Sequence, residues 1–94
     1  MPPEIGVRVS LVSAREPLRA LADITLGFQD AAITLRRCAV FEKAGQPPWV
    51  SLPRLPIARH GKKSFGALVE LPHELRQRVF DAVLARYQQL CDED

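Results

Sequence analysis

The segment LRALADITLGFQDAAITLRRCAVF, residues 18–41, decides the fold because two apolar patterns meet in it at a polar turn. Apolar residues occupy every second position from Leu18 to Leu26, which is the period of a half-buried strand. Gly27 and Asp30 mark a turn, and the second half of the segment is again rich in β-forming residues. The segment therefore predicts two neighbouring strands of one sheet.

The second of these strands breaks its own alternation at Arg36 and Arg37. If Ile33 and Leu35 face the core, strict alternation buries Arg37, and a buried unpaired charge is costly. One extra residue at this pair, a β-bulge, returns Cys38 to the inner face. We therefore predict a bulge at Arg36 and Arg37.

Similar patterns lie on both sides of the segment. Residues 5–13 alternate and predict a first strand that forms a hairpin with residues 18–26. Two prolines precede WVSL, residues 49–52, which predicts a short strand at the rim of the sheet. SFGALVEL, residues 64–71, alternates again and predicts a fifth strand.

A different period begins after Leu71. Apolar residues then recur at spacings of three and four, and Pro72 and Glu74 suit a first helical turn. We expect an α+β fold, with an antiparallel sheet of about five strands followed by one C-terminal helix. The fold forms a single domain over residues 1–94, and we expect its ends, residues 1–4 and 91–94, to be frayed. The predicted apolar side of the helix contains Leu75, Val79, Ala82, Val83, Tyr87 and Leu90.

Composition favours a cytoplasmic protein. The chain has 94 residues, of which 47% are hydrophobic and 26% charged, as in ordinary globular domains. No secretory pattern opens it, no apolar run approaches the length of a membrane span, and Cys38 and Cys91 have no metal-binding spacing. We expect no membrane partner.

The positive charge is segregated. The net charge is only +2, but no acidic residue lies between Lys43 and Val69. Lysine and arginine hold phosphates by Coulomb attraction and counterion release, so we predict DNA or RNA contact through a basic loop, residues 54–63, with ordinary solvation of the loop as the alternative. The predicted contacts are Arg54, Arg59, Lys62 and Lys63, extended by Arg76, Arg78 and Arg36, with His60 as a further cation below neutral pH.

Five of the residues considered keep a structural alternative, which for Arg76 and Arg78 is ordinary exposure to solvent. A bulge aligns Arg36 with Arg37, although either arginine can instead form an ion pair. Trp49 can stack on a base, or pack over a sheet edge or at a subunit interface.

The sequence contains no enzyme motif. His60 and His73 are its only histidines, and it has no nucleophile motif, Gly-rich phosphate loop or cluster of metal ligands. We expect no catalysis, no cofactor and no small-molecule substrate. One helix leaves part of the sheet and an edge uncovered, so we also predict a homodimer formed through the sheet.

Five segments of the chain form a recognisable set in this order and spacing: VRVSLV, RALADITL, ITLRRCAVFEK, WVSLP and FDAVLARYQQL. Together they resemble the stage V sporulation protein G family, the septation regulators. The resemblance implies a dimeric, cytoplasmic bacterial regulator that binds DNA and RNA through a basic surface near the C-terminal helix. Where that family has Met-Pro-Ser and later an acidic stretch, this chain reads LPRLPIARHGKKSFGALVE, residues 52–70, which is more cationic. The alternative function is a protein-interaction module of bacterial cell division or regulation.

Overall fold

The computed structural model describes residues 3–13, 17–59 and 61–93, and for residues 55–59, 62–65 and 67 it describes the backbone alone. The fold is α+β, as predicted. Its elements in chain order are β1 (Glu4–Leu11), β2 (Leu18–Gly27), β3 (Ala32–Phe41), β4 (Trp49–Ser51), β5 (Arg54–Arg59), β6 (Lys62–Ala67) and α1 (His73–Glu93).

The first four strands form one antiparallel sheet in the order β1-β2-β3-β4. The predicted hairpin of β1 and β2 is confirmed, with Val9 opposite Ala22. The short strand β4 lies at the rim, where Val50 pairs with Val40. Each strand is therefore adjacent in space to its neighbour in sequence, which is the arrangement that short turns favour.

The predicted bulge is present. Ala22 pairs with Cys38 and Ile24 pairs with Leu35, so β3 has one more residue than β2 across this interval. Arg37 has a φ of 62°, the only positive value among the described non-glycine residues. Cys38 is fully buried as a result of the shift in register.

The basic loop prediction is wrong in its secondary structure. Residues 54–59 and 62–67 pair as β5 and β6 in a separate two-stranded sheet, a hairpin, and Leu68 N–H donates to Pro53 C=O at its base. Both strands of a two-stranded sheet are edges, and edges tolerate prolines such as Pro56. Gly61, with a φ of 77°, supplies the turn before Lys62.

The predicted fifth strand over residues 64–71 is therefore displaced. The strand ends at Ala67, a bend follows at Leu68, and Val69 and Leu71 lie outside it. The six strands form two sheets, not one sheet of about five strands. Leu71 still packs against the core, so its apolar character serves the junction with the helix.

Helix α1 covers the inner face of the four-stranded sheet. It contacts β1, β2 and β4, and thus crosses from one edge to the other. Val79, Val83 and Tyr87 are buried at this contact, on the predicted apolar side. No helix among the described residues has the length and apolar character needed to cross a bilayer.

Two inward positions of the sheet remain exposed despite the alternation. Leu11 is 41% exposed and Ile33 is 52% exposed. They lie at opposite ends of their strands, opposite Ala20 and Leu26 respectively. The helix is narrower than the sheet, so the ends of the inner face stay partly open to solvent.

A hydrogen bond ties the helix to the end of the sheet. The Tyr87 hydroxyl donates to the Glu42 carboxylate across 2.7 Å. Burial, and next this bond to a carboxylate, raise the pKa of Tyr87 to about 12. The bond joins residues 45 positions apart, and therefore fixes the helix relative to the end of β3.

Candidate nucleic-acid interface

A groove of about 430 Å³ lies on the outer face of the four-stranded sheet, at the rim where β3 meets β4. The outer face is the face opposite α1. Phe41 and Trp49 are its aromatic residues, and Arg37 and Arg54 are its charged residues. No carboxylate is among the described residues that line this groove. We call it the rim groove.

The rim groove contains an aromatic pair. Phe41 and Trp49 are cross-strand partners, and their ring centroids are 5.6 Å apart with the planes inclined at 23°. This stacked geometry lies in the favourable range for aromatic pairs. Trp49 nevertheless remains 39% exposed, so it packs over the sheet edge and also presents ring surface to solvent.

The bulge determines where the two adjacent arginines lie. Arg37 lines the rim groove, whereas Arg36 lines a second outer-face cavity that also contains Arg8 and Asp23. In a regular strand one of the two arginines would face the core. The extra residue in β3 instead leaves both side chains on the outer side, because a bulge changes the alternation by one position.

Arg54 connects the rim groove to a third cavity. It lines that cavity together with Arg76 at the start of α1, and Glu70 contributes the only carboxylate among the described lining residues. The Pro72 carbonyl accepts a hydrogen bond from the Arg76 N–H across 2.8 Å, which is the first bond of the helix. Arg37, Arg54 and Arg76 are thus arranged around the short strand β4.

Not all predicted residues join this surface. Arg78 is exposed, but it is rotated by about 200° from Arg76 around the helix and lines neither cavity at β4. Arg59 and Lys62 are backbone partners beside the hairpin turn, and Ala58 pairs with Lys63. The side chains of Arg59, Lys62 and Lys63, and all of His60, lie outside the described residues.

Among the charged and aromatic residues of the rim groove, Arg37 was weighed but was not among the predicted contacts, and Phe41 was not considered. The sequence signal for Arg37 was the break in alternation, which predicted the bulge but not the direction of each arginine. The signal for Phe41 was its position eight residues before Trp49, which is compatible with a cross-strand pair. Only the register of β3 with β4 brings these rings together.

In the described part of the chain, no cysteine or histidine belongs to a group of metal ligands. No three His, Cys, Asp or Glu residues in it are close enough to hold a metal ion. Burial, followed by the negative charge of Asp23, raises the pKa of Cys38 to about 11, which makes this thiol unreactive at neutral pH. His73 is the first residue of α1 and is exposed.

No protein family, no curated protein and no solved structure matches the chain.

Proposed function

We propose that this chain is a non-enzymatic, cytoplasmic nucleic-acid-binding regulator of the septation and sporulation type, active as a homodimer. The rim groove carries the proposal, because two arginines line it together with an aromatic pair whose Trp49 is exposed, and no carboxylate is among its described lining residues. Arginine holds phosphate through several fixed N–H donors, and groups of such residues supply most of the affinity for nucleic acid. The resemblance to the septation regulators supports the same function.

The cations around β4 extend this surface. Arg54 belongs to both cavities at β4, so the positive charge continues from Arg37 on the sheet to Arg76 on the helix. The hairpin that follows contains no acidic residue between Arg54 and Ala67. We include Arg59, Lys62 and Lys63 in the binding surface on this basis. Arg36 lies beside it on the outer face, and Arg78 lies apart from it.

Dimerisation through β1 is compatible with an open rim groove. β1 is an edge strand of eight residues, whereas the other edge strand, β4, has three. A long edge with unpaired backbone groups is suited to pair with the same edge of a second copy. This arrangement leaves both rim grooves exposed, and two grooves on one nucleic acid raise its effective affinity.

The test is a titration of labelled DNA and RNA, single- and double-stranded, at several salt concentrations. We expect affinity to fall steeply with salt, and the double variant Arg37→Ala with Arg54→Ala to reduce the slope of log K against log salt by about 1.5. Lys43→Ala is a matched control, because Lys43 is exposed and lines a different cavity. Absence of any salt-dependent complex would refute the proposal and favour the protein-interaction alternative.

Two further measurements separate the parts of the proposal. The triple variant Arg59→Ala, Lys62→Ala and Lys63→Ala weakens binding if the hairpin belongs to the surface, and leaves it unchanged if the rim groove acts alone. The mass of the free protein, measured by light scattering or sedimentation, gives twice 10.5 kDa for a dimer. A monomer at all concentrations would remove dimerisation from the proposal and leave nucleic-acid binding untouched.

A further inference from the structure

We infer that the rim groove recognises an unpaired nucleic-acid strand, with one base stacked on Trp49 and the neighbouring phosphates held by Arg37 and Arg54. This inference rests on the proposed function and specifies the form of nucleic acid that the site accepts. It follows from the combination of an exposed ring and two cations in one groove.

The ring of Trp49 is held in position before any ligand binds. Phe41 stacks against it at 5.6 Å, and the backbones of the two residues pair across β3 and β4. A ring fixed in this way loses little side-chain entropy when a base stacks on its exposed surface. The aromatic pair is therefore a preorganised platform.

A duplex cannot use this platform as a single strand does. Bases in a duplex already stack on both sides, so an aromatic side chain on a sheet surface reaches only the backbone and the groove edges. An unpaired base presents a free face, and base-aromatic stacking makes a large, sequence-tolerant contribution to affinity. Arg37 and Arg54 can attract either form, whereas Trp49 distinguishes between them.

The outer face provides a path for the rest of the strand. Arg36 is adjacent to Arg37 in the bulge, and it shares its cavity with Arg8 on β1. Thr34 lines the same cavity, and its hydroxyl can donate to a phosphate oxygen. Asp23 is the one carboxylate among the described residues there, against two arginines. The bound nucleic-acid strand therefore crosses the outer face of the sheet from Arg54, past Trp49, toward Arg8.

The experiment compares nucleic acids that differ in their bases, their sugar or their pairing. The probes are an oligothymidylate and an oligouridylate of about 12 nucleotides, an abasic strand of equal length, and a DNA duplex of equal length, since sheet-based single-strand sites span roughly 4 to 16 nucleotides. Trp49 is the only tryptophan of the chain, so its emission reports on the rim groove. We expect quenching by the strands that carry bases and none by the abasic strand.

Two variants of Trp49 isolate the aromatic face. Trp49→Leu and Trp49→Phe both remove the indole and keep an apolar side chain, but only the phenylalanine keeps a ring. Trp49→Leu should weaken binding of the two base-carrying strands by roughly 5- to 150-fold, the loss of one stacked base, and Trp49→Phe by much less. Duplex affinity should change by less than about 2-fold in both, because phosphate contacts remain.

The outcomes distinguish this inference from the proposed function. If the abasic strand binds as tightly as oligothymidylate, or if a folded Trp49→Leu protein binds strands like the wild type, base stacking is refuted while salt-dependent binding stands. If no probe binds in a salt-dependent way, the proposed function itself fails. Equal losses with the DNA and RNA strands show that the site reads the unpaired base. A loss with only one shows that it also reads the sugar or the 5-methyl group of thymine. The abasic comparison uses the wild-type protein, so it remains decisive if Trp49→Leu does not fold.

Discussion

Arg37 offers a direct test of the bulge, because its φ of 62° lies in the left-handed region that favours glycine. A non-glycine residue in that region costs roughly 1 to 2 kcal/mol. Glycine avoids this cost but loses about 0.5 to 1 kcal/mol in backbone entropy on folding. We therefore expect Arg37→Gly to be more stable than Arg37→Ala by about 0.5 to 1 kcal/mol.

Thermal unfolding followed by circular dichroism measures this difference. In a domain of this size, about 1 kcal/mol corresponds to a shift of roughly 4 to 8 °C in the unfolding midpoint. The matched control is the pair Thr34→Gly and Thr34→Ala, at an exposed position of the same strand whose φ is not positive. There the order should reverse, with glycine less stable than alanine by about 0.5 to 1 kcal/mol.

The nucleic-acid affinity of the same variants should behave differently from their stability. Arg37→Gly and Arg37→Ala both remove the guanidinium group, so both should lose affinity to a similar extent. If Arg37→Gly is less stable than Arg37→Ala by the amount found at Thr34, then Arg37 does not adopt the left-handed conformation, and the reasoning that both arginines face outward fails. A non-glycine residue with a strained, left-handed backbone conformation, such as Arg37, is typical of functional sites.

Three further predictions concern stability. Tyr87→Phe removes the bond to Glu42 and should cost about 1 to 3 kcal/mol in urea unfolding; no loss would contradict the link between helix and sheet. Burial raises the pKa of Cys38 from 9.0 to about 11, so the thiol ionises at lower pH in the unfolded chain than in the folded one. The contribution of the neutral thiol to the free energy of unfolding is therefore complete below pH 9 and is lost as the pH rises toward 11. Cys38→Ala should flatten that part of the pH profile. Gly61→Ala should cost roughly 1 kcal/mol and speed amide exchange in β5 and β6, whereas unchanged exchange would contradict the turn.

Much of the four-stranded sheet and the helix could be predicted from the sequence. The apolar alternation of β2 and the three-to-four spacing of α1 both matched the observed burial. The bulge was also predictable, because burying the unpaired charge of Arg37 costs far more free energy than inserting one extra residue into the strand. In each case the deciding contacts lie within one element or between consecutive ones.

The rim groove was only partly predictable. Arg54 was in the predicted set and Trp49 was a weighed candidate, but the sequence did not separate Arg37 from Arg36. Residues 54–63 were expected as a loop and residues 64–71 as a fifth strand, whereas 54–59 and 62–67 pair with each other as β5 and β6. Pro56 has no N–H to donate to a ladder, and it therefore does not suggest a paired strand. Residues 62–67 pair with β5 and not with a strand of the main sheet. The apolar alternation of a strand shows which of its faces is buried, but it does not show which strand pairs with it.

The sequence by itself determined which residues face inward, because side-chain direction repeats every two residues in a strand and about every 3.6 in a helix. Only the tertiary structure decided which distant side chains share a surface. Arg37, Trp49 and Arg54 meet because β3 pairs with β4 in one register and the bulge reverses the direction of one side chain. Those pairings depend on the summed packing of the sheet against α1, a global quantity that no single stretch of the chain contains.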